Sequence, residues 1–303
     1  MCNKNKSNKD LISVVIPTFN RDYLIEKAIC NVMEQTYENI EVIVVDDGSN
    51  DNTANVVKKI NNPRLKYIYM EKNKGMCAAR NEGFKAARGQ FLACQDSDVL
   101  WDKTKLEKQH EFLTQNKYDM VFCRVSRGYE DGKMHTIPSE KFSLETDILK
   151  QLLMGNFIDS PTIFMKKEVW DLVKFDPKIR RLTDWDFAIR VIKSGFNIGY
   201  QAETLVTSYI MSDSTSLNVN THNAFKVIYN KYKDDFDKTP EIKGNILRTL
   251  GNTIIEEDRL LANKYYRTSL RSHFTWEPIA DIMVNKIKFY INLLNKKFKL
   301  FNQ

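Results

Sequence analysis

The stretch LISVVIPTFNRDYLIEKAICNVMEQTYENIEVIVVDDGSN, Leu11–Asn50, decides the fold. Ile12–Ile16 is a β-rich apolar run ended by Pro17, and Glu41–Val45 is a second, stopped by Asp46-Asp47-Gly48-Ser49. Between them Leu24, Ile25, Ala28, Ile29 and Val32 fall on one helical face of Arg21–Gln35. Short apolar strands joined through an amphipathic helix predict a parallel pair with a helical crossover.

The alternation continues downstream. A short helix over Asn52–Ile60 is followed by a strand at Leu65–Met70, then an Ala-rich helix over Gly75–Arg88 that Gly89 closes as its C′ residue. Phe91–Cys94 is a fourth strand, and a polar helix runs from about Lys103 to Asn116. Repetition of this kind predicts an α/β fold with helices on both faces of the sheet. Beyond Asp119 the alternation breaks. Met120–Val125, Thr162–Met165 and Thr204–Ile210 read as strands, Leu144–Met154 as a helix, and Asp186–Lys193 as a helix capped by Gly195. From about Asn220 the pattern is helical. The expected organisation is a domain over 1–220, with halves at about 10–118 and 119–220, and a helical extension over 221–303.

Composition narrows the class. The 303 residues hold 46 Lys and Arg against 39 Asp and Glu, and 42% are apolar, which excludes a collagen, a disordered chain and a small disulfide scaffold. No run of 18 apolar residues argues for a spanning helix. The opening MCNKNKSNKD has no apolar segment of a secretory signal. Cys2, Cys30, Cys77, Cys94 and Cys123 form no CxxC pair, which favours reduced thiols in a cytosol.

The charge is uneven. Residues 1–220 carry 31 basic and 30 acidic side chains, whereas residues 221–303 carry 15 and 9. Within 279–303, Met283, Ile287, Tyr290, Ile291, Leu294, Phe298 and Phe301 recur at helical spacing beside five lysines. That suits a helix lying on an anionic membrane surface, and equally a terminal helix packed on its own domain. Nucleic acid is not expected, because no aromatic-plus-basic signature or helix-turn-helix pattern stands out.

In open α/β sheets ligands bind beyond the carboxyl ends of the strands, and polar clusters sit there. Asp96-Ser97-Asp98 follows the fourth strand. Two carboxylates so spaced can share Mg²⁺ or Mn²⁺ with a diphosphate, since such ions take hard oxygen ligands. Asp46-Asp47 occupies the corresponding place after the second strand. The first strand ends in Pro17-Thr18-Phe19-Asn20-Arg21, with neither a Walker A loop nor GxGxxG. Phosphate must then be handled by metal and cationic side chains, which argues against a P-loop ATPase or a nicotinamide dehydrogenase.

VVIPTFNR (Val14–Arg21), VIVVDDGSNDNT (Val42–Thr53), EKNKGMCAARNEG (Glu71–Gly83) and FLACQDSD (Phe91–Asp98), in this order, resemble the nucleotide-sugar half of a family 2 glycosyltransferase. The resemblance implies a GT-A fold and an inverting transfer from a UDP-sugar to a glycan, lipid-linked or polymer acceptor. It also implies a bacterial surface-polysaccharide role, in the cytoplasm or at the inner face of the cell membrane. By the same resemblance Pro17, Thr18, Phe19 and Asn20 border the nucleotide and Asp46, with Asp47 beginning the next turn, accepts from the base. Asn73 and Arg80 serve base and diphosphate, Asp96 lies near the ribose, and Asp98 holds Mn²⁺ or Mg²⁺ with Asp96 as a second candidate.

Thr183-Asp184-Trp185-Asp186-Phe187 resembles the family's Glu-Asp-aromatic-Asp motif, which makes Asp184 the general base. Thr183 departs from the usual Glu. Trp185 and Asp186 are then expected on the acceptor side, and Asp159-Ser160-Pro161-Thr162 falls where related enzymes place an acceptor loop. A His expected after the next strand is missing from Tyr209-Ile210-Met211-Ser212-Asp213-Ser214, so Ser212 or Asp213 is the substitute considered for the metal. Two alternatives carry different sequence signatures. An inactive sugar-nucleotide-binding relative would be expected to lose Asp184, and a sugar-1-phosphate nucleotidyltransferase would need a Gly-rich N-terminal loop. A homo-oligomer stays open.

Overall fold

The first two strands, β1 (Ile12–Thr18) and β2 (Ile40–Asp46), are buried along their whole length, as strands covered on both faces must be. The structure, a computed structural model, describes residues 10–128, 132–209 and 221–284. Helix α1 (Asp22–Met33) links the two strands and buries Ile25, Ala28, Ile29 and Val32, the stripe that the sequence marks. Pro17 does not end β1. The Val15 carbonyl accepts from the Gln95 N–H, so Pro17, two residues on, faces the same side, where the neighbouring strand has already stopped. Its missing N–H therefore breaks no ladder bond.

α2 (Thr53–Lys59), β3 (Leu65–Tyr69), α3 (Met76–Lys85) and β4 (Phe91–Cys94) complete a parallel block ordered β3-β2-β1-β4. α3 stops at Ala86, three residues before Gly89, so Gly89 is not its C′ residue. Gly89 instead allows a close approach, because a Cβ there would lie 2.5 Å from the Leu11 carbonyl.

The remaining strands mix direction. β5 (Val99–Trp101) and α4 (Lys105–Asn116) precede β6 (Met120–Gly128) and β7 (Met134–Ile137). After α5 (Ile148–Met154) come β8 (Phe164–Lys166), α6 (Lys167–Val173), α7 (Thr183–Lys193) and β9 (Ile198–Tyr209). The sheet runs β3-β2-β1-β4-β8-β6-β9-β5, with β7 on β6. β8 is antiparallel to both β4 and β6, whereas β9 is parallel to β6. The result is an α/β fold with a mixed sheet. Cys77, Cys94 and Cys123 are buried and unbridged in it, and Cys30 is exposed.

The chain divides into two compact units, Met1–Leu152 with Asn156–Asn218, and Leu153–Gly155 with Val219–Gln303. The second is helical, with α8 (Thr221–Lys231), α9 (Lys233–Asp237), α10 (Pro240–Ile254) and α11 (Arg259–Ser272). α10 and α11 meet through Gly251, where a Cβ would lie 2.4 Å from the Tyr266 ring. The Ser269 hydroxyl donates to the Gly244 carbonyl further along the pair. No described helix is long and apolar enough to cross a membrane. The basic stripe expected over 279–303 lies mostly outside the described residues, as do Ser212 and Asp213.

Candidate active site

Turns at the carboxyl ends of β1, β2, β3 and β4 line one side of a cleft of about 830 Å³, and residues 156–161 and 177–184 line the other. All of it lies within the first unit.

On the strand side the turns are tied to one another. Asn20 adopts φ 51, its N–H donates to the Ser49 hydroxyl, and its side-chain carbonyl accepts from the Asn50 N–H. The Asp47 N–H donates to the Thr18 carbonyl, while the Asp47 carboxylate accepts from the N–H groups of Lys74 and Gly75 at 2.8 and 2.7 Å. Asp47 thereby fixes the turn that presents Asn73 to the cleft. Pro17, Thr18, Phe19, Asn20, Asp47 and Asn73 all line it. The Phe19 ring is partly exposed, and the Thr18 hydroxyl is buried without a hydrogen-bond partner among the described residues.

Asp46 is elsewhere. Successive side chains of a strand point to opposite faces, and the Asp46 carboxylate is fully buried, accepting from the Ser49 N–H and the Tyr67 hydroxyl. It does not line the cleft, so its expected contact with the base is corrected. Asp47 is the carboxylate of that pair that the cleft contains.

Arg80 is the buried cation of the site. Its Nη2 donates to Asp96 at 2.8 Å, its Nη1 to the Thr183 hydroxyl at 3.1 Å, and the guanidinium packs over the Phe175 ring. The Asp96 anion raises its pKa against the opposing effect of burial. Arg80 therefore ties the turn after β4 to the first turn of α7. Asp98 is half-buried and lines the same cleft.

Asp184 lies in the first turn of α7 and lines the same cleft as Asp96 and Asp98. The cap position is Leu182, without a side-chain cap bond, so Asp184, two residues on, is not the cap residue. Its carboxylate accepts from the Trp185 N–H at 2.8 Å and, at 3.4 Å, from Asn156. Burial, followed by the neighbouring Asp159 carboxylate, pushes the Asp184 carboxyl up to about 7, a value suited to proton transfer at neutral pH. Burial raises Asp159 too, against the pull of its ion-pair partner Arg127.

Trp185 and Asp186 do not reach the cleft, and the acceptor-side expectation for them is corrected. Each residue along α7 turns by about 100°, so the two after Asp184 rotate into the core. Trp185 is buried with its indole N–H donating to the Leu152 carbonyl, and Asp186 is buried in an ion pair with Arg190. The sequence alone did not single out Arg127, Asn156, Arg180 or Arg181, all of which line the cleft. Arg180 donates to the Lys74 carbonyl, and its guanidinium lies against Gly75, where a Cβ would sit 2.7 Å from Nη1.

Among the described residues no trio of His, Cys, Asp or Glu forms a metal cluster. Asp98 and Asp96, which gives one oxygen to Arg80, supply the one or two carboxylates that Mg²⁺-type ions take alongside phosphate oxygens. The donor set fits such an ion bound together with a diphosphate.

Residues 13–172 match glycosyl transferase family 2. TuaG of Bacillus subtilis, described as a teichuronic acid biosynthesis glycosyltransferase, is 32% identical over 215 residues, 69% of this chain and 83% of that one. The UDP-Glc:alpha-D-GlcNAc-diphosphoundecaprenol beta-1,3-glucosyltransferase WfgD of Escherichia coli is 38% identical over 112 residues, 37% of this chain and 44% of that one. Residues 1–349 of S. aureus TarS in complex with UDP-GlcNAc superpose with a TM-score of 0.58 at 20% identity, covering 87% of this chain and 72% of that one.

Proposed function

The chain belongs to glycosyl transferase family 2, and on that premise we propose that it moves one sugar from a UDP-sugar to an acceptor hydroxyl, with inversion at C1. The observation that carries this reading is Asp184, held near neutral pKa in the cleft that also contains Asp96, Asp98 and Arg80. A sugar hydroxyl is a weak nucleophile, so a carboxylate opposite the leaving group must accept its proton. As the acceptor oxygen bonds to C1, the bond from C1 to the diphosphate breaks and UDP leaves. Asp184 takes the proton.

The donor would lie along the strand ends, with Phe19, Asp47 and Asn73 at the nucleoside and Arg80 behind Asp96. Asp98, with Asp96, would hold Mn²⁺ or Mg²⁺, which supplies charge neutralisation at the diphosphate. Lys74, Arg180 and Arg181 add cationic lining to the cleft. UDP as the nucleotide follows WfgD and the TarS complex, and a lipid-linked surface-polysaccharide acceptor follows TuaG and WfgD. The transfer would take place at the cytosolic face of the membrane. Residues 1–220 would form the transferase domain and 221–303 its extension.

The experiment is a panel of UDP-, GDP-, CMP- and dTDP-sugars with Mn²⁺, Mg²⁺ or EDTA, read by calorimetric binding and free-nucleotide release. Metal-dependent binding of a UDP-sugar that Asp98→Asn abolishes is expected. Binding of none of the donors by the folded protein refutes the assignment.

A further inference from the structure

Helix α11 has two unlike faces. Ala262, Tyr266 and Ser269 are buried toward α10. Leu260, Lys264, Arg267 and Arg271 are exposed, and at 100° per residue they fall within one narrow stripe. No carboxylate among the described residues pairs with the three cations. Of the neighbouring acids, Asp258 accepts the Leu261 N–H and Asp281 is in an ion pair with Arg248, while Glu256 and Glu257 are exposed ahead of the helix. Glu277, beside Trp276, is exposed.

Large apolar side chains stand at both ends of the stripe. Leu260 is 85% exposed at its start. Phe274 and Trp276, 64% and 74% exposed, follow its end with their rings in edge contact at 5.7 Å. Met283 and Val284 are exposed further along. Cations flanked by apolar and aromatic side chains are what an interfacial helix presents to lipid, where the rings sit at headgroup depth and the charges meet anionic headgroups.

We propose that the Leu260–Arg271 face of α11, with Phe274 and Trp276, docks on the surface of an anionic lipid bilayer. A second copy of the chain suits this face poorly, because a two-fold contact would set Lys264, Arg267 and Arg271 against their own equivalents. A nucleic acid would satisfy the cations and leave Leu260 and Met283 in water. The surface belongs to the helical unit, so it stands whether or not the sugar-transfer assignment does, and it is separate from the lysine-rich sequence of residues 285–303.

The fold supplies its own probe. Of the four tryptophans, Trp101, Trp170 and Trp185 are buried and Trp276 is exposed, so a change in tryptophan emission on adding vesicles reports Trp276. With the full chain, phosphatidylcholine vesicles containing phosphatidylglycerol are expected to shift the emission to the blue, and brominated acyl chains to quench it. Pure phosphatidylcholine should do neither. Replacing Lys264, Arg267 and Arg271 together by Glu, with residues 285–303 intact, should weaken partition at least about tenfold. Trp276→Phe should remove the spectral change and leave sedimentation with vesicles within about threefold of the parent. Because these side chains are exposed, unchanged circular dichroism and melting are expected of each variant.

Parent-like sedimentation of the triple variant would locate binding elsewhere and overturn the proposal. So would sedimentation of the parent with no change in Trp276 emission, or no binding to anionic vesicles at all. Tight binding of double-stranded DNA that Leu260→Ser, Phe274→Ser and Trp276→Ser leave untouched would replace the lipid by nucleic acid. Dimerisation that the triple variant abolishes would replace it by a second copy.

Discussion

Asp159→Asn is the sharpest test of the electrostatics of the cleft. The Asp184 carboxyl lies at about 7 against an ordinary 3.8, and burial contributes more to that rise than the Asp159 charge does. The whole rise corresponds to roughly 4 kcal/mol disfavouring the anion. Asparagine keeps the shape of Asp159, and the 160–162 turn is held through the Asp159 backbone carbonyl, which accepts from the N–H and hydroxyl of Thr162. The substitution removes the charge and with it the ion pair to Arg127. Burial remains, so the acidic limb of the kcat/KM profile should fall by about one pH unit rather than return to the ordinary carboxylate range. A base at 7 is about one-tenth ionised at pH 6, and a base at 6 is half ionised there. Transfer at pH 6 should therefore rise about fivefold relative to the pH 8 plateau. UDP release from pH 5 to 8, at saturating donor and limiting acceptor, measures it. An acidic limb that stays in place, or moves upward, refutes the reasoning that Asp159 and Asp184 interact through their charges.

Asp184→Asn should abolish turnover while UDP-sugar binding by calorimetry persists. It should also stabilise the fold at pH 8. The folded carboxyl keeps its proton up to about 7 and the unfolded one loses it near 3.8, so the parent loses stability as pH rises through that window, by at most roughly 4 kcal/mol; urea melts at pH 4 and pH 8 compare the two. Gly75→Ala puts a Cβ against Arg180 at φ +90 and should raise the donor KM several-fold with little change in kcat at saturation. Lys105 is buried, donates to Gln109 and sits over the Trp101 ring, and burial pulls its pKa down to about 8. Its folded form sheds a proton that the unfolded chain retains, so stability rises between pH 8 and 10.5 by at most about 3 kcal/mol, and Lys105→Met should flatten that difference in paired melts.

The parts of the fold legible in the sequence are those where burial is continuous or strictly periodic. β1, α1 and β2 announce themselves because two covered strands need apolar runs and the helix between them needs a single stripe. β5 and β7 have three and four residues, too few to show a period, and α6 begins on Lys167-Glu168, directly after β8. β9 is longer than its apolar core, since Gln201-Ala202-Glu203 interrupts the alternation where its register with β6 shifts. At the site, residues just past strand ends were legible from topology. Pairing across the chain was not. Arg127 and Asp159 lie on β6 and on the turn before β8, and nothing local in either segment points to the other. Adjacency misled for Asp46 beside Asp47 and for Trp185 beside Asp184, because one step along a strand or a helix changes the face.

Thr183, where the family pattern has Glu, has a physical consequence. Its hydroxyl accepts from Arg80 Nη1, while Nη2 serves Asp96. A neutral acceptor leaves the guanidinium charge shared between Asp96 and Asp184, whose pKa Arg80 helps to lower. A glutamate would draw that charge to itself and place a third anion beside Asp159 and Asp184. Thr183→Glu should thus move the acidic limb upward by about one pH unit, opposite to Asp159→Asn. Thr183→Val, which removes the acceptor without adding charge, should leave the limb within a few tenths of a unit and lower the melting temperature through the unmet Arg80 donor. Displacement of the Glu and Asn variants in the same direction would show that packing of the 156–162 segment, rather than charge, sets the base.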